Sequence, residues 1–433
     1  MVRTLCVVWL AGLCSSLAFA QIEIGTTGQS EGRIPIAVPD FCTAPGQEAL
    51  GKAMAGVLAY DLNFSGIFSI LPPTGYPKNF TGFTRDPQSV DFEAWRATPA
   101  EFLVHVYVVS DSQGLTAECR LFDVFSGEMV SGKRLSTRGE EWQRLVAHQF
   151  ADEIVRHLTG VAGCASSRIC FSGGATGKKE IYIADYDGAN MKEVTQHGSI
   201  SILPKFSPDG RKIAYLSYKD RYPFLYVLEL ETGESRVWSK KVGLNVAPAW
   251  SPDATRLAMV QSKDGNSEIY LVNVDGSDRR RLTDNSAVDT SPTFDPTGTK
   301  IAFVSERGGR AQIYVMNTDG SGVTRLSFQG GSAYDPVWSP DGTKIAYVVE
   351  KSGDGLEVYV MNADGTGAKR LTNSAGSNES PTWSPDSRHV MFASTRSGRW
   401  ELGSVIVETG EEQRIPINTE LSLQGPTWGP RRQ

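Results

Sequence analysis

Two stretches of the chain place apolar residues at helical spacing. Almost everything else consists of short β-branched and aromatic runs separated by turn residues. From Glu48 to Asn63, Leu50, Met54, Val57, Leu58 and Leu62 fall on one face at a period of 3.6, which predicts an amphipathic helix. Trp142, Val146, Phe150, Ile154 and Leu158 form a second such stripe. Thr137-Arg138-Gly139-Glu140 fits a capping box before it, and Gly160 a C-cap after it. Between and around these helices, Ile34–Val38, Phe68–Leu71, Phe102–Val109, Thr116–Val124 and Met129–Ser136 read as strands. Residues 21–160 are therefore expected to form an α/β domain of two helices on a mixed sheet, with 161–167 as a junction.

From residue 168 the polar/apolar pattern repeats. Prolines 204, 248, 292, 336, 381 and 426 are spaced 44, 44, 44, 45 and 45 residues apart, each followed two places later by Phe206, Trp250, Phe294, Trp338, Trp383 or Trp428. A tyrosine column (Tyr182, Tyr226, Tyr270, Tyr314, Tyr359) runs out of phase with it, with turn glycines six or seven residues on. Four strands per unit at this period mark a β-propeller. Strand A carries the Pro-x-aromatic signal, B the Lys-Ile-Ala-aromatic signal, C the tyrosine, and D ends in Arg-Leu-Thr. The first unit lacks strand A, and Gln424–Pro430 is an orphan strand A at the end. The two halves make one blade, which predicts six blades over 168–430 closed by the C-terminal strand, with no free sheet edge.

Composition narrows the setting. A net charge of −6 offers no basic footprint for nucleic acid. Residues 1–20 combine Arg3, an apolar run from Leu5 to Leu13 and Ala18-Phe19-Ala20. They read as a secretory signal cleaved between Ala20 and Gln21, and no later apolar run is long enough to span a membrane. Export exposes Cys42, Cys119, Cys164 and Cys170 to an oxidising compartment. Bridges Cys164–Cys170 and Cys42–Cys119 stand beside the alternative of four unpaired core residues.

Chemistry-bearing motifs are few. The aspartates Asp209, Asp253, Asp341 and Asp386 sit in Ser-Pro-Asp-Gly-like turns, and Asp187, Asp275, Asp319 and Asp364 each precede a hairpin glycine. Turn geometry accounts for both sets. The tryptophan column reads as inter-blade packing rather than a sugar platform. The five histidines show no metal-ligand spacing, and no nucleophile elbow or zinc-protease motif is present. Gly173 to Lys178 resembles a phosphate loop only superficially. No enzyme activity and no cofactor are expected. What remains is a rim of loops before each proline: Ile202-Leu203, Val246-Ala247, Thr290-Ser291, Tyr334-Asp335, Glu379-Ser380 and Gln424-Gly425. Such a platform suits a protein partner. The alternative is a secreted β-propeller enzyme acting on a sugar or lactone in the channel. That reading needs inward acids or histidines on strand A, where Lys205, Ala249, Thr293, Val337 and Thr382 stand.

Ile34-Pro-Ile-Ala-Val-Pro39, Asp61-Leu-Asn-Phe-Ser-Gly-Ile-Phe68, Ala151-Asp-Glu-Ile154 running to Leu158-Thr-Gly160, and Ile181 to Gly188 come in this order before the Ser-Pro-Asp-Gly blades. Over the whole mature chain this order resembles the TolB family, the periplasmic component of the Tol-Pal envelope system. The resemblance implies a periplasmic, monomeric, non-enzymatic protein. Its propeller rim would bind a Pal-like outer-membrane lipoprotein, with Ala247 and Thr290 carried over by motif and Leu203, Asn245, Asp335 and Glu379 added from the same pre-proline rim. Its N-terminal segment Gln21, Ile22, Glu23, Ile24 would meet a TolA-like inner-membrane protein. The implied role is outer-membrane integrity and constriction during cell division.

Overall fold

Helix α1 spans Glu48–Phe64 and buries Met54, Val57, Leu58 and Leu62, the stripe expected from its spacing. The computed structural model describes residues 32–432 except 113, 139–142, 176, 240–244, 264, 329, 352–354 and 374–375. The signal, the Ala20/Gln21 cleavage site and the segment Gln21–Ile24 lie outside the described residues, as do Gly139, Glu140 and Trp142 of the expected cap and stripe. Helix α3, Gln143–Thr159, buries Val146, Phe150 and Ile154. Gly160 ends it at a φ of 78°, its N–H bonded to the Arg156 carbonyl at 2.8 Å. A short helix α2, Phe92–Arg96, capped by Asp91, had no signal in the pattern.

These helices pack on a mixed sheet of β1 (Ile34–Ala37), β2 (Cys42–Thr43), β3 (Phe68–Ile70), β4 (Phe102–Asp111), β5 (Gly114–Asp123) and β6 (Met129–Thr137). The order is β3-β1-β4-β5-β6, with β2 added beside β4. Strand β1 runs parallel to β3 and β4, β2 runs parallel to β4, and the β4-β5 and β5-β6 pairs are antiparallel.

The remaining strands form six four-stranded antiparallel blades. Blade one is Ser201–Phe206, Lys212–Ser217, Phe224–Glu229 and Ser235–Ser239. Blades two to five begin at Asn245, Asp289, Ala333 and Asn378. In blade six the C-terminal strand Ser422–Arg431 pairs with Ser167–Ala175, which continues to Lys178–Asp185 and Lys192–Glu193. The ring therefore closes as its strand order implies.

The cysteine bridges are not formed: all four are free thiols. Cys119 and Cys164 face the core shared by the helices and blade six, whereas Cys170 faces the core between blades six and one. Cys42 pairs in register with Tyr107, and Cys119 with Val106.

From Arg33 onward the chain forms one compact unit. A single buried cluster runs from Ile36, Leu58 and Phe150 through Tyr186 to Met391, Leu402, Ile417 and Trp428. Sheet, helices and two blades thus share one hydrophobic core.

Candidate functional site

The proline that marks each blade sits inside a bulge. In all six blades the pairing of strands A and B shifts register across the X-Pro pair, between Ile202/Lys205, Val246/Ala249, Thr290/Thr293, Tyr334/Val337, Glu379/Thr382 and Gln424/Thr427. Proline brings no N–H to leave unpaired there. The residue before it takes up the extra length with a positive φ: Leu203 55°, Ala247 52°, Ser291 49°, Asp335 48°, Ser380 55° and Gly425 57°. For a non-glycine residue this region costs about 1–2 kcal/mol, so five of the six positions hold strain. The expected rim residues are therefore not in loops. Strand A begins before the proline, and Leu203, Asn245, Ala247, Thr290, Asp335 and Glu379 belong to it. A bulge resumes pairing after two unpaired residues, so a strand that looks broken by X-Pro in sequence continues through it.

The six bulged residues line a central cavity of about 510 Å³ together with Lys205, Ala249, Thr293, Val337, Thr382 and Thr427. The structure thus brings Leu203, Ala247 and Asp335 together at the channel. Thr290 and Glu379 stand one residue further out on their strands. Asp335 accepts a hydrogen bond from Ser291 Oγ at 3.2 Å. Burial lowers the Lys205 pKa, with Asp335 opposing the shift. Burial, then Asp335, raises the carboxyl of Glu379, with Lys179 opposing. The channel therefore holds sparse, mutually dependent charge on a largely small and apolar wall. Its titratable strand-A side chains are Lys205 and Asp335, with no histidine and no second carboxylate among the lining residues.

The opposite rim carries the turns, and there the repeated aspartates do what turn chemistry requires. Asp253 Oδ1 accepts from Ser251 Oγ at 2.5 Å and from the Thr255 N–H at 3.1 Å, and these bonds hold its carboxyl down at about 2. Asp209 and Asp341 repeat the arrangement. The tryptophans pack between blades: Trp250 Nε1 donates to the Lys205 carbonyl at 3.2 Å and Trp383 Nε1 to the Val337 carbonyl at 3.0 Å.

Blades five and six depart from this pattern because the helices cover them. Asp61 on α1 accepts from Tyr186 Oη at 2.7 Å and lies 2.7 Å from His148 Nδ1 on α3. Asp187, in the hairpin position that elsewhere only shapes a turn, is bound by Arg144 of α3. Asp185 accepts from Arg432 at 2.7 Å and from Asn190 at 2.7 Å. Burial alone would favour a neutral His148 ring, but Asp61, Asp187 and Asp185 outweigh it and raise the pKa above the ordinary value. Phe64 stacks on His389 at 4.7 Å and meets Tyr186 edge-on at 5.0 Å. Asp152 of α3 holds the junction, accepting from the N–H groups of Ala165 at 2.7 Å and Ser166 at 3.0 Å. Burial first raises its carboxyl to about 6 against these bonds. Sequence reasoning missed this network because its central bonds, Asp61 to His148 and to Tyr186, span 87 and 125 residues.

It also missed a tie repeated in several blades. A Glu or Gln at the start of strand C accepts from the hydroxyl that follows Arg-Leu, buried Glu268 from Thr283 Oγ1 at 2.5 Å and buried Gln312 from Ser327 Oγ at 2.7 Å, and half-buried Glu180 makes the same bond with Thr195 Oγ1 at 2.6 Å after Glu-Val. A Glu or Gln just before the tyrosine, paired with a later Leu-Thr or Leu-Ser, is the signal that could have revealed it.

A six-bladed propeller packed against an α/β layer through two of its blades is shared with known proteins. The TolB beta propeller domain matches residues 155–432 and the TolB amino-terminal domain matches residues 20–130. The chain belongs to the TolB family. Over 92% of its length it is similar to the crystal structure of TolB from Acinetobacter baumannii, with 28% identity, a TM-score of 0.81 and 97% of that chain covered. The propeller fold alone is shared with a chain of a nidogen/laminin complex (13% identity, TM-score 0.50, 62% of this chain and 100% of that one). It is also shared with hydrazine synthase of Kuenenia stuttgartiensis (13% identity, TM-score 0.50, 61% and 46%). Membership assigns this TolB-family protein to the Tol-Pal system with a propeller of the non-enzymatic type. Among the described residues no helix is long and apolar enough to cross a membrane.

Proposed function

We propose that this TolB-family chain is a periplasmic protein-binding scaffold. Its open rim captures a Pal-like outer-membrane lipoprotein, its segment Gln21–Ile24 engages a TolA-like inner-membrane protein, and the linkage supports outer-membrane integrity and constriction at division. The observation that carries the reading is the ring of bulged residues around the channel mouth. Six strands bulge at the same place and five of them hold backbone strain there, on the one rim that the α/β layer leaves uncovered. Strain retained at a repeated position is a mark of a site rather than of packing. A broad, weakly charged concavity suits a polypeptide surface better than a small buried ligand.

The test is capture of the lipoprotein from envelope extract by the purified mature chain. Ala247→Glu and Thr290→Arg are expected to abolish capture while leaving the melting temperature unchanged. Undiminished capture by both variants, taken with an unchanged melt, would sink the rim assignment. Removing residues 21–32 is expected to lose the inner-membrane partner and to alter lipoprotein affinity, since the segment and the rim are read as coupled. Identical affinity would remove the coupling.

A further inference from the structure

Three donor side chains meet where the junction touches the fifth blade. Cys164 comes from the segment after α3. Asp386 and His389 flank the turn between strands A and B of blade five. Their ligand atoms all lie within 4.8 Å of one another, and all three residues are buried. In blades one, three and four the residue in the place of His389 is a lysine, Lys212, Lys300 or Lys344, and in blade two it is Arg256. In blade five alone the α/β layer covers the turn, and there an imidazole replaces the flexible cation.

The hydrogen bonding of that imidazole fixes what its free nitrogen offers. Nε2 lies 2.9 Å from the Phe64 carbonyl oxygen, which can only accept, so Nε2 carries the hydrogen. In the neutral ring Nδ1 is then a bare lone pair. It has no hydrogen-bond partner, it belongs to a residue with 0% exposure, and it faces Asp386 Oδ1 at 3.9 Å. Asp386 Oδ1 accepts from Ser384 Oγ and from the Arg388 N–H at 3.2 Å, but Nδ1 is left unpaired out of water, which costs free energy unless something positive meets it. A histidine that donates one ring N–H to a backbone carbonyl and turns the other nitrogen toward a carboxylate and a thiol has the form of a metal ligand.

We propose that Cys164 Sγ, the Asp386 carboxylate and His389 Nδ1 form a structural site for a borderline-soft divalent transition ion, Zn²⁺ by preference. With bonds of about 2.0–2.3 Å, the ligands of a tetrahedral zinc stand roughly 3.3–3.8 Å apart. The 3.9 Å between His389 and Asp386 needs only slight closure. A thiolate and a carboxylate balance the charge of a divalent cation, which a buried site requires. A thiol and an imidazole select zinc-like ions over calcium or magnesium. The fourth position is left to water. The ion would join the end of α1, through the Phe64–His389 hydrogen bond, to the junction and to blade five.

A second trio, Asp61, His148 and Asp187, also converges. There Arg144 already binds Asp187, and His148 Nδ1 is satisfied by Asp61. The positive charge is already in place, which makes this trio the internal control.

The experiment refolds the full mature chain with Co²⁺ and then exchanges it for Zn²⁺. One Co²⁺ per chain is expected, with a near-ultraviolet thiolate-to-cobalt charge-transfer band that Zn²⁺ removes. Cys164→Ser should abolish the band, His389→Ala should weaken Zn²⁺ binding at least tenfold, and His148→Gln should leave both unchanged. In the unaltered chain, Zn²⁺ should raise the melting temperature and protect Cys164 from thiol-reactive labelling. That arm needs no variant to fold. No cobalt uptake by the unaltered chain, a band that survives Cys164→Ser, or metal lost on His148→Gln would each overturn the proposal.

Discussion

The two rims of the propeller start from the same repeat and end in opposite conditions. On the covered rim the Ser-Pro-Asp turns satisfy themselves in blades one, two, four and five. In blades five and six Asp61, His148, Arg144 and Phe64 reach into the equivalent turns and hairpins and fuse them to the α/β layer. On the open rim all six blades keep the same bulge and the same positive φ, while the residue that bears it changes from Leu to Ala, Ser, Asp, Ser and Gly. Stability is concentrated where the repeat is broken by partners from outside it. The surface proposed for recognition lies where the backbone is strictly repeated and only the side chains vary.

The harshest way to break this contrast is at the seam. Removing Ser422–Gln433 takes the strand that pairs with Ser167–Ala175 and carries Trp428 into the shared core. Loss of the cooperative thermal transition is expected, followed by far-ultraviolet circular dichroism. Next, Phe64→Ala empties a fully packed site against His389, Tyr186 and Trp428. It should cost about 3–5 kcal/mol in urea unfolding, where the same measurement on a rim residue should show almost nothing.

The covered rim should also respond to pH. Asp152, raised to about 6, and His148, raised above its ordinary value, both hold a proton more tightly folded than unfolded. Stability is therefore greatest below their unfolded values. It falls as pH rises, first between about 4 and 6 for Asp152 and then above about 6.5 for His148. The depressed turn aspartates act the other way, but only below about pH 4. Unfolding free energies from urea melts at pH 5, 6.5 and 8 should decline on the order of 1–3 kcal/mol in all; a flat or rising series would contradict the network as described.

On the open rim, Ala247→Glu is expected to weaken lipoprotein capture at least tenfold, about 1.4 kcal/mol, with the melt unmoved. The smallest expected effect sharpens the strain argument. Ser380→Gly should stabilise the chain by up to about 1 kcal/mol by relieving the positive φ, and Ser380→Val should destabilise it by a similar amount.

Much of the fold was legible. Prolines and aromatics at a fixed period gave the blades, and the orphan strand at Gln424–Pro430 gave the closure. The stripe on α1 was also plain, because all these signals are local and repeat. The X-Pro bulge was not legible, since proline ordinarily signals the end of a strand and the compensating register shift is made by the partner strand. Asp187 looked identical to Asp275 and Asp319, and only the position of Arg144 distinguishes it. Cys164 and His389 come together from distant parts of the chain with no spacing that could announce them. Gly139 and Glu140 of the expected cap, and the segment Gln21–Ile24, lie outside the described residues, while Thr137 ends strand β6.

The seam in blade six has a consequence in time. A chain that emerges from its N-terminus presents Ser167–Ala175 early, with that edge unpaired until Ser422–Arg431 arrives. Five blades can form meanwhile, but the core around Phe64 and Tyr186 waits for Trp428, and Asp185 waits for Arg432. Exposed strand edges invite pairing with the wrong chain. The last strand to be made thus acts as a checkpoint: an interrupted product would leave both rims unfinished and carry an open edge, so only a chain translated and exported to its end could present the ring.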